Sequence, residues 1–359
     1  MDINEINILW LDLFEFLTYS KKLKLVTLAH NQDIRKIFLS NQEIKTTLTN
    51  EEFGKMALCL HDEYLSRFLQ QYKQLNIQTI TFYDNRYPYM LKEISTPPLC
   101  LYCKGNIQLL NTTCVAIVGT RKPTEYGIVV TKQFAKELVD ADVTLVSGLA
   151  SGVDSLTHKT VLENNGKTIA VIAGGINHIY PATNANLAKQ ITENNLIISE
   201  NNPNVKPLAY FFPIRNRIIA GLSKGVLVTE AGEKSGSMHT YNYAVEYNRE
   251  IFAVPGRINS PMSKGTNSII KSLQGSITLS ADDILTTLHI EKQKNEKKSA
   301  VQLDINQQIV LDYIQTEKKS FQEILEHTKL SAKDLNAMLL ELEVTGLVTK
   351  LANNSYIKS

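Results

Sequence analysis

Between residues 111 and 289 the chain alternates between two periods, and this alternation is the strongest constraint on its fold. Short Val- and Ile-rich runs occur at Cys114–Val118, Val143–Ser147, Thr168–Ile172, Leu196–Ser199, Val226–Thr229 and Ile251–Val254. They present almost no polar face, so each strand is expected to be buried on both sides. Amphipathic helical stretches, such as Tyr126–Leu138 and Leu156–Glu163, lie between them. Buried strands alternating with helices predict an α/β, Rossmann-like domain with a doubly wound, mostly parallel sheet. A ligand site on such a sheet lies at the carboxyl ends of the strands.

The remaining segments read differently. Residues 1–80 contain no proline, and Leu9, Leu13, Phe16 and Leu17 recur at helical spacing, as do Leu58, Leu65, Phe68 and Leu69. This predicts a small helical domain. Residues 81–110 hold Tyr87-Pro88 and Pro97-Pro98, which force extended chain and turns, and are expected to form a lead-in strap. Residues 290–300 are charged and nearly free of apolar side chains, as a linker would be. In residues 301–359 a helix containing Ile309, Tyr313 and Ile314 precedes helices at Phe321–His327 and Ala332–Val344. A two-stranded ribbon at Gly346–Val348 and Ser355–Ile357 completes a winged-helix pattern.

Composition narrows the function. A chain of 359 residues with 43% apolar residues and a net charge of +2 is neither disordered nor a basic coat for nucleic acid. Nucleic-acid binding would need a local patch. Four cysteines do not make a disulfide scaffold, and Cys100-x-x-Cys103 lacks the second pair that a structural zinc needs. No metal or cofactor is expected. The acidic start and the lack of an apolar run near 20 residues lead us to expect a cytoplasmic protein without membrane contact.

The chemistry concentrates at strand ends. Gly119-Thr120-Arg121 follows the first run, where free amides and a planar cation suit phosphate; an ordinary turn with a solvated arginine is the alternative. Ser147-Gly148 through Gly152-Val153-Asp154 reads as a phosphate cradle without the dinucleotide fingerprint. Asp154 either belongs to that cradle or simply starts the next helix. Gly166-Lys167-Thr168 leads into a strand and has Val161 where a P-loop needs glycine, so Walker A is rejected. In Phe211–Leu222, aromatic and arginine side chains together suit stacked bases and clamped phosphates. Arg215 and Arg217 point to different sides of that helix, so one reading gives a ligand contact to one and an internal salt bridge to the other. Ser235-Gly236-Ser237 offers amides to an anion at a helix start. Glu230 has a catalytic reading, against the plainer one of orienting an arginine. No Ser/His/Asp or paired-carboxylate set emerges.

Taken in order, these motifs resemble a known family. They are Gly119-Thr120-Arg121, Ser147-Gly148…Gly152-Val153-Asp154, Gly174-Gly175…Tyr180-Pro181…Asn184 and the run Phe212–Ser223. Glu230-Ala231…Ser235-Gly236-Ser237 and Ala253-Val254-Pro255-Gly256…Ser263–Asn267 complete them. Over roughly residues 80 to 290 the chain resembles the DNA-processing protein A (DprA, or Smf) family of bacteria. The resemblance implies a helical SAM-like N-terminal domain, a Rossmann-like domain and a winged-helix tail. It implies a function that is not enzymatic: single-stranded DNA binding, protection of incoming DNA in natural transformation, and loading of the RecA recombinase. It also implies a homodimer through the Rossmann-like domain. By position it places Gly119, Thr120, Arg121, Lys122, Ser147, Gly148, Gly152, Phe212, Arg215, Asn216, Arg217, Ser235 and Gly236 at the DNA site, and Ile269 and Ile270 at the dimer contact. Ser151 stands where the family has an arginine, which implies either weaker DNA binding or a nearby lysine, such as Lys122 or Lys159, in its place. Leu273-Gln274 stand where the family has Gly-Ala.

The alternative is a nucleotide hydrolase of the lysine-decarboxylase-like phosphoribohydrolase type, with Glu230 at the sugar. The loop from Glu230 to Thr240 lacks that family's glycine pattern and trailing glutamate. A winged helix reading duplex DNA is normally basic, but residues 301–359 hold six lysines against eight acids. The tail is therefore expected to contact protein rather than duplex.

Overall fold

The structure, a computed structural model, describes residues 2–291, 303–315, 318–351 and 354–358. Most of the expected linker, from residue 292 to 300, lies outside the described residues. The chain divides into two compact units, Met1–Gln293 and Lys294–Ser359.

The first unit is built on a nine-stranded sheet, counted among the described residues. Its strands are β1 (Gln78–Thr81), β2 (Cys100–Gly105), β3 (Cys114–Val118), β4 (Thr144–Ser147), β5 (Thr168–Val171), β6 (Leu196–Ser199), β7 (Gly225–Val228), β8 (Glu250–Ala253) and β9 (Ser276–Ile277). Their order is β1-β2-β6-β5-β4-β3-β7-β8-β9. The pairings from β6 through β9 are parallel, while β2 runs against both β1 and β6. Strands β3 to β7 are buried at every position, which is why no alternation shows in their sequence. β3 lies between β4 and β7, so the winding reverses there and opens a crevice at the carboxyl edge.

Residues 81–110 are more than a strap. β1 and β2 form an antiparallel hairpin that extends the sheet beyond β6. The prolines that hid these strands fall in the connection between them, where no ladder N–H is required. Tyr87 closes that connection by donating its hydroxyl proton to Pro98 O at 2.8 Å.

The N-terminal region forms helices, the longest at Ile3–Asp12, Tyr19–Ala29 and Asp62–Gln74. Asp2 and Thr49 close capping boxes, and Thr18 caps the second of those three helices. Trp10 is fully buried and donates Nε1–H to Cys59 O at 2.8 Å. This core runs on into the sheet: Cys100, Tyr102 and Ile172 belong to it, and the Tyr102 hydroxyl donates to Asp12 Oδ2 at 2.6 Å. The helices and the sheet therefore pack as one body.

In the second unit, helices Ile305–Ile314, Phe321–Thr328 and Ala332–Val344 bury Val310, Ile314, Ile324, Leu335 and Leu339. The expected ribbon is β11 (Val348–Leu351) against β12 (Ser355–Lys358), and β10 (Lys319–Ser320) adds a third strand. This is a winged helix.

Candidate functional site

A cleft of about 880 Å³ opens at the carboxyl ends of β3, β4 and β7. Gly119 ends β3 where a Cβ would lie 2.6 Å from Val153 and 2.8 Å from Glu230 O, so no larger residue fits. The Thr120 N–H donates to Glu230 O at 2.7 Å, tying the loop after β3 to the loop after β7. Beyond this tie Arg121 and Lys122 reach solvent, and Lys234 does so from the β7 loop. The Arg121 guanidinium sits 5.7 Å from the centroid of the half-buried Phe212 ring. Phe212 in turn meets Tyr180 edge-on at 5.4 Å. Asp154 is the one carboxylate in the lining, and it is buried. The cleft therefore carries positive charge at its rim and an aromatic pair on its wall.

The floor holds two buried groups of opposite charge, Arg215 and Asp154. Arg215 is only 6% exposed; its Nη1–H groups donate to Gly148 O at 2.6 Å and to Val171 O, and Nε–H to Asn216 Oδ1 at 3.1 Å. Burial lowers its pKa to about 10, against the opposing pull of Asp154. Burial pushes the Asp154 carboxyl up, while Arg215 draws it down. A Cβ on Gly148 would lie 2.6 Å from both Arg215 Nη2 and Asp154 Oδ2, so glycine lets the loop close over this pair. Asn216 Nδ2–H donates to Gly236 O at 3.2 Å and fixes the helix Phe211–Leu222 against the β7 loop. Ser235 and Ser237 share a hydrogen bond of 2.9 Å at the start of the helix Ser237–Glu246.

Several expected site residues lie elsewhere. Arg217 is turned to the opposite face of its helix, where it pairs with Glu200 outside this cleft. A two-residue step on a helix separates side chains widely, so Arg217 does not join Arg215 in this cleft. Ser147 is fully buried and donates its hydroxyl to Ile117 O at 2.7 Å, so it braces the sheet instead of forming a wall. Gly152, at φ +82°, packs against the Thr120–Arg121 backbone behind the lining. Lys159 lines a separate hollow with Glu163 and Gln190, whereas Lys122 lines the cleft. Ile269 is buried in the core against the sheet, and Ile270 is half-buried, so neither presents a free apolar face. Near them Leu273, Ile277 and Leu279 are exposed.

Glu230 does not orient an arginine. Its oxygens accept from Thr124 N–H at 2.8 Å and Thr124 Oγ1–H at 2.7 Å, anchoring the start of the helix Glu125–Asp140. Lys167 pairs with Asp142 at 2.7 Å ahead of β5 and contacts no phosphate loop. Among the described residues no group of three His, Cys, Asp or Glu side chains is placed to hold a metal, and no helix is long and apolar enough to cross a membrane. Tyr180, Lys234 and Met262 line the cleft without having been singled out. The signal for Tyr180 and Lys234 was their place inside the quoted motifs; Met262 gave none.

A Rossmann-like sheet with a cationic, aromatic cleft at its switch point, followed by a winged helix, is one class of architecture, and the comparisons with known proteins specify it. The family described as DNA recombination-mediator protein A matches residues 78–289, and the DprA winged helix domain matches residues 294–354. The chain belongs to the DNA recombination-mediator protein A (DprA/Smf) family. It is 43% identical over 248 residues to the DNA processing protein DprA of Bacillus subtilis, covering 67% of this chain and 83% of that one. The solved DprA of Streptococcus pneumoniae is 34% identical with a TM-score of 0.69, covering 80% of this chain and 98% of that one. A Helicobacter pylori DprA, whose structure is described as giving insight into a unique single-stranded DNA binding mode, is 32% identical with a TM-score of 0.55. It covers 60% of this chain and 97% of its own.

Proposed function

We propose that this protein binds single-stranded DNA across the cleft, shields it, and loads RecA recombinase onto it during transformation and homologous recombination, without catalysing a reaction. The observation that carries this reading is the Arg121–Phe212 pair at the rim of a cleft whose exposed charges are cations. A base stacks on the ring while the phosphates on either side meet Arg121, Lys122 and Lys234. The single-strand binding described for the Helicobacter pylori relative supports it. The protein acts in the cytoplasm as a homodimer through the Rossmann-like domain, and the exposed Leu273, Ile277 and Leu279 make that contact in place of Ile269. Residues 111–289 are the DNA-binding domain. Against the hydrolase reading stands Glu230, whose two oxygens are both engaged by Thr124.

The test is a salt titration of binding to an unstructured fluorescent oligonucleotide, with duplex as control. Phe212→Ala should cost about 1–3 kcal/mol, the worth of one stacked base. Arg121→Ala and Lys122→Ala should each flatten the salt dependence by about 0.7 in slope, one phosphate contact on a single strand. Equal affinity for duplex, or slopes unchanged by both variants, would sink the reading. RecA loading is checked by RecA filament growth on strands precoated with single-strand-binding protein.

A further inference from the structure

A second hollow, of about 540 Å³, lies along the same carboxyl edge of the sheet, at the ends of β5 and β6. The helix Phe211–Leu222 divides it from the cleft: Phe212 and Asn216 face the cleft, Phe211, Ile214 and Arg217 face the hollow, and Arg215 lines both. The start of the helix Tyr19–Ala29 closes the other side. In the hollow lies an unfinished polar pair. Arg217 is 5% exposed and donates through Nη2 to Glu200, but its Nη1 is buried without any partner. Buried donors are nearly always satisfied, so this one requires an explanation. Among the described residues the second oxygen of Glu200 also has no hydrogen-bond donor. Tyr19 senses both groups: burial raises its pKa, Arg217 lowers it and Glu200 raises it.

The surroundings restrict what could complete the pair. Leu17, Leu99, Ile172, Val205 and Ile218 line the walls. Phe16, Leu208, Tyr210 and Ile214 are exposed large apolar side chains, and all four lie in the same lining. An exposed apolar cluster beside a cavity of this size marks a ligand site. The charges exclude a phosphate as the buried group, because the cations Lys22, Arg215 and Arg217 of the lining face the carboxylates Asp12, Glu15 and Glu200, with Lys22 on Asp12 at 2.7 Å. A neutral, flat ring with adjacent acceptor and donor atoms fits instead.

We propose that this hollow is a nucleobase site: the ring lies between the apolar walls, the Arg217 guanidinium turns so that Nη1–H, closed off in this structure, donates to a ring carbonyl, and a ring N–H donates to the free oxygen of Glu200. Any sugar and phosphate stay outside the mouth. The base comes either from a free nucleoside or from a strand crossing over from the cleft; only the second source rests on the function proposed above.

Photocrosslinking of the full-length protein separates these sources, using free 5-iodo-2′-deoxyuridine in one arm and an oligonucleotide carrying 5-iodouracil in the other. Crosslinks on Phe16, Tyr19, Tyr210 or Phe211 are expected in at least one arm, and the arm that gives them names the source. In Ile214→Trp, whose indole fills the mouth, they should fall about tenfold, the equivalent of roughly 1.4 kcal/mol. Crosslinks on Phe212 or Tyr180 in the strand arm report the cleft separately, so failure there does not count against the hollow. Absence of hollow crosslinks in both arms, or their persistence at full yield in a folded Ile214→Trp protein, overturns the proposal.

Discussion

Two hollows along one sheet edge share a helix and treat charge in opposite ways. The cleft at β3, β4 and β7 leaves Arg121, Lys122 and Lys234 in water and buries its single carboxylate beneath them. The hollow at β5 and β6 matches Arg217 and Lys22 with a carboxylate each, adds Glu15 opposite the shared Arg215, and lines much of the remaining wall with apolar side chains. Arg215 and Arg217, two residues apart, are the hinge of this contrast. Both are buried, yet one holds backbone carbonyls under a glycine loop and the other meets a partly exposed glutamate. The difference teaches that neither helix arginine is available as a free phosphate clamp. The positive charge that a strand can meet sits on the loops instead.

The sharpest way to break that contrast is to remove each arginine in turn. Arg215→Ala should cost about 3–5 kcal/mol in urea unfolding, because it leaves Asp154 buried without its counter-charge and strips Gly148 O of a donor. Arg215→Lys should recover only part of this, since an ammonium cannot reproduce the fork onto two carbonyls. Arg217→Ala should cost less, about 1–3 kcal/mol, because the Glu200 side chain is 25% exposed and can rehydrate. It should leave the salt slope of strand binding unchanged, unlike Arg121→Ala. Equal costs for the two alanine variants would mean that the cleft floor and the hollow are built alike.

The sequence made the sheet legible where strands are buried on both faces. The parallel runs fall within a residue of where their Val and Ile content placed them, as β3 at Cys114–Val118 and β6 at Leu196–Ser199 illustrate. β1 and β2 escaped notice because prolines crowd their connection and because β1 is half exposed at its start. At the site, motif order pointed to loops that the fold gathers at one sheet edge, but not to which of their atoms face outward. Ser147 and Gly148 look like a phosphate cradle in sequence, yet the serine hydroxyl is spent on Ile117 O. Likewise Glu230 has the spacing of a catalytic carboxylate, and only the fold reveals Thr124 against both its oxygens. Side-chain direction on a helix follows from spacing, so the opposed faces of Arg215 and Arg217 were predictable, but Gly148, Val171 and Glu200, which they meet at the ends of β4, β5 and β6, are brought to them only by the fold.

The smallest effect concerns pH, and it belongs to the cleft side alone. His158, on the helix Val153–Glu163, is completely buried, with Nδ1 2.7 Å from Thr168 Oγ1 and Nε2 unpartnered. Burial, with the Arg215 charge adding to it, pushes its pKa down from 6.5 to about 3. Below pH 6.5 the unfolded chain takes up this proton and the folded chain does not. Stability present above 6.5 is therefore lost as the pH falls toward 3, by at most about 1.4 kcal/mol per pH unit. Asp154 works the other way, because its raised pKa makes protonation on acidification favour the folded state. His158→Asn keeps a polar atom for Thr168 and removes the titration, so urea melts between pH 4 and 6.5 should show a flatter, or even reversed, dependence. An unchanged slope would place the titrating group elsewhere and take from the cleft floor the one charge-sensitive property that sets it apart from the hollow beyond the helix.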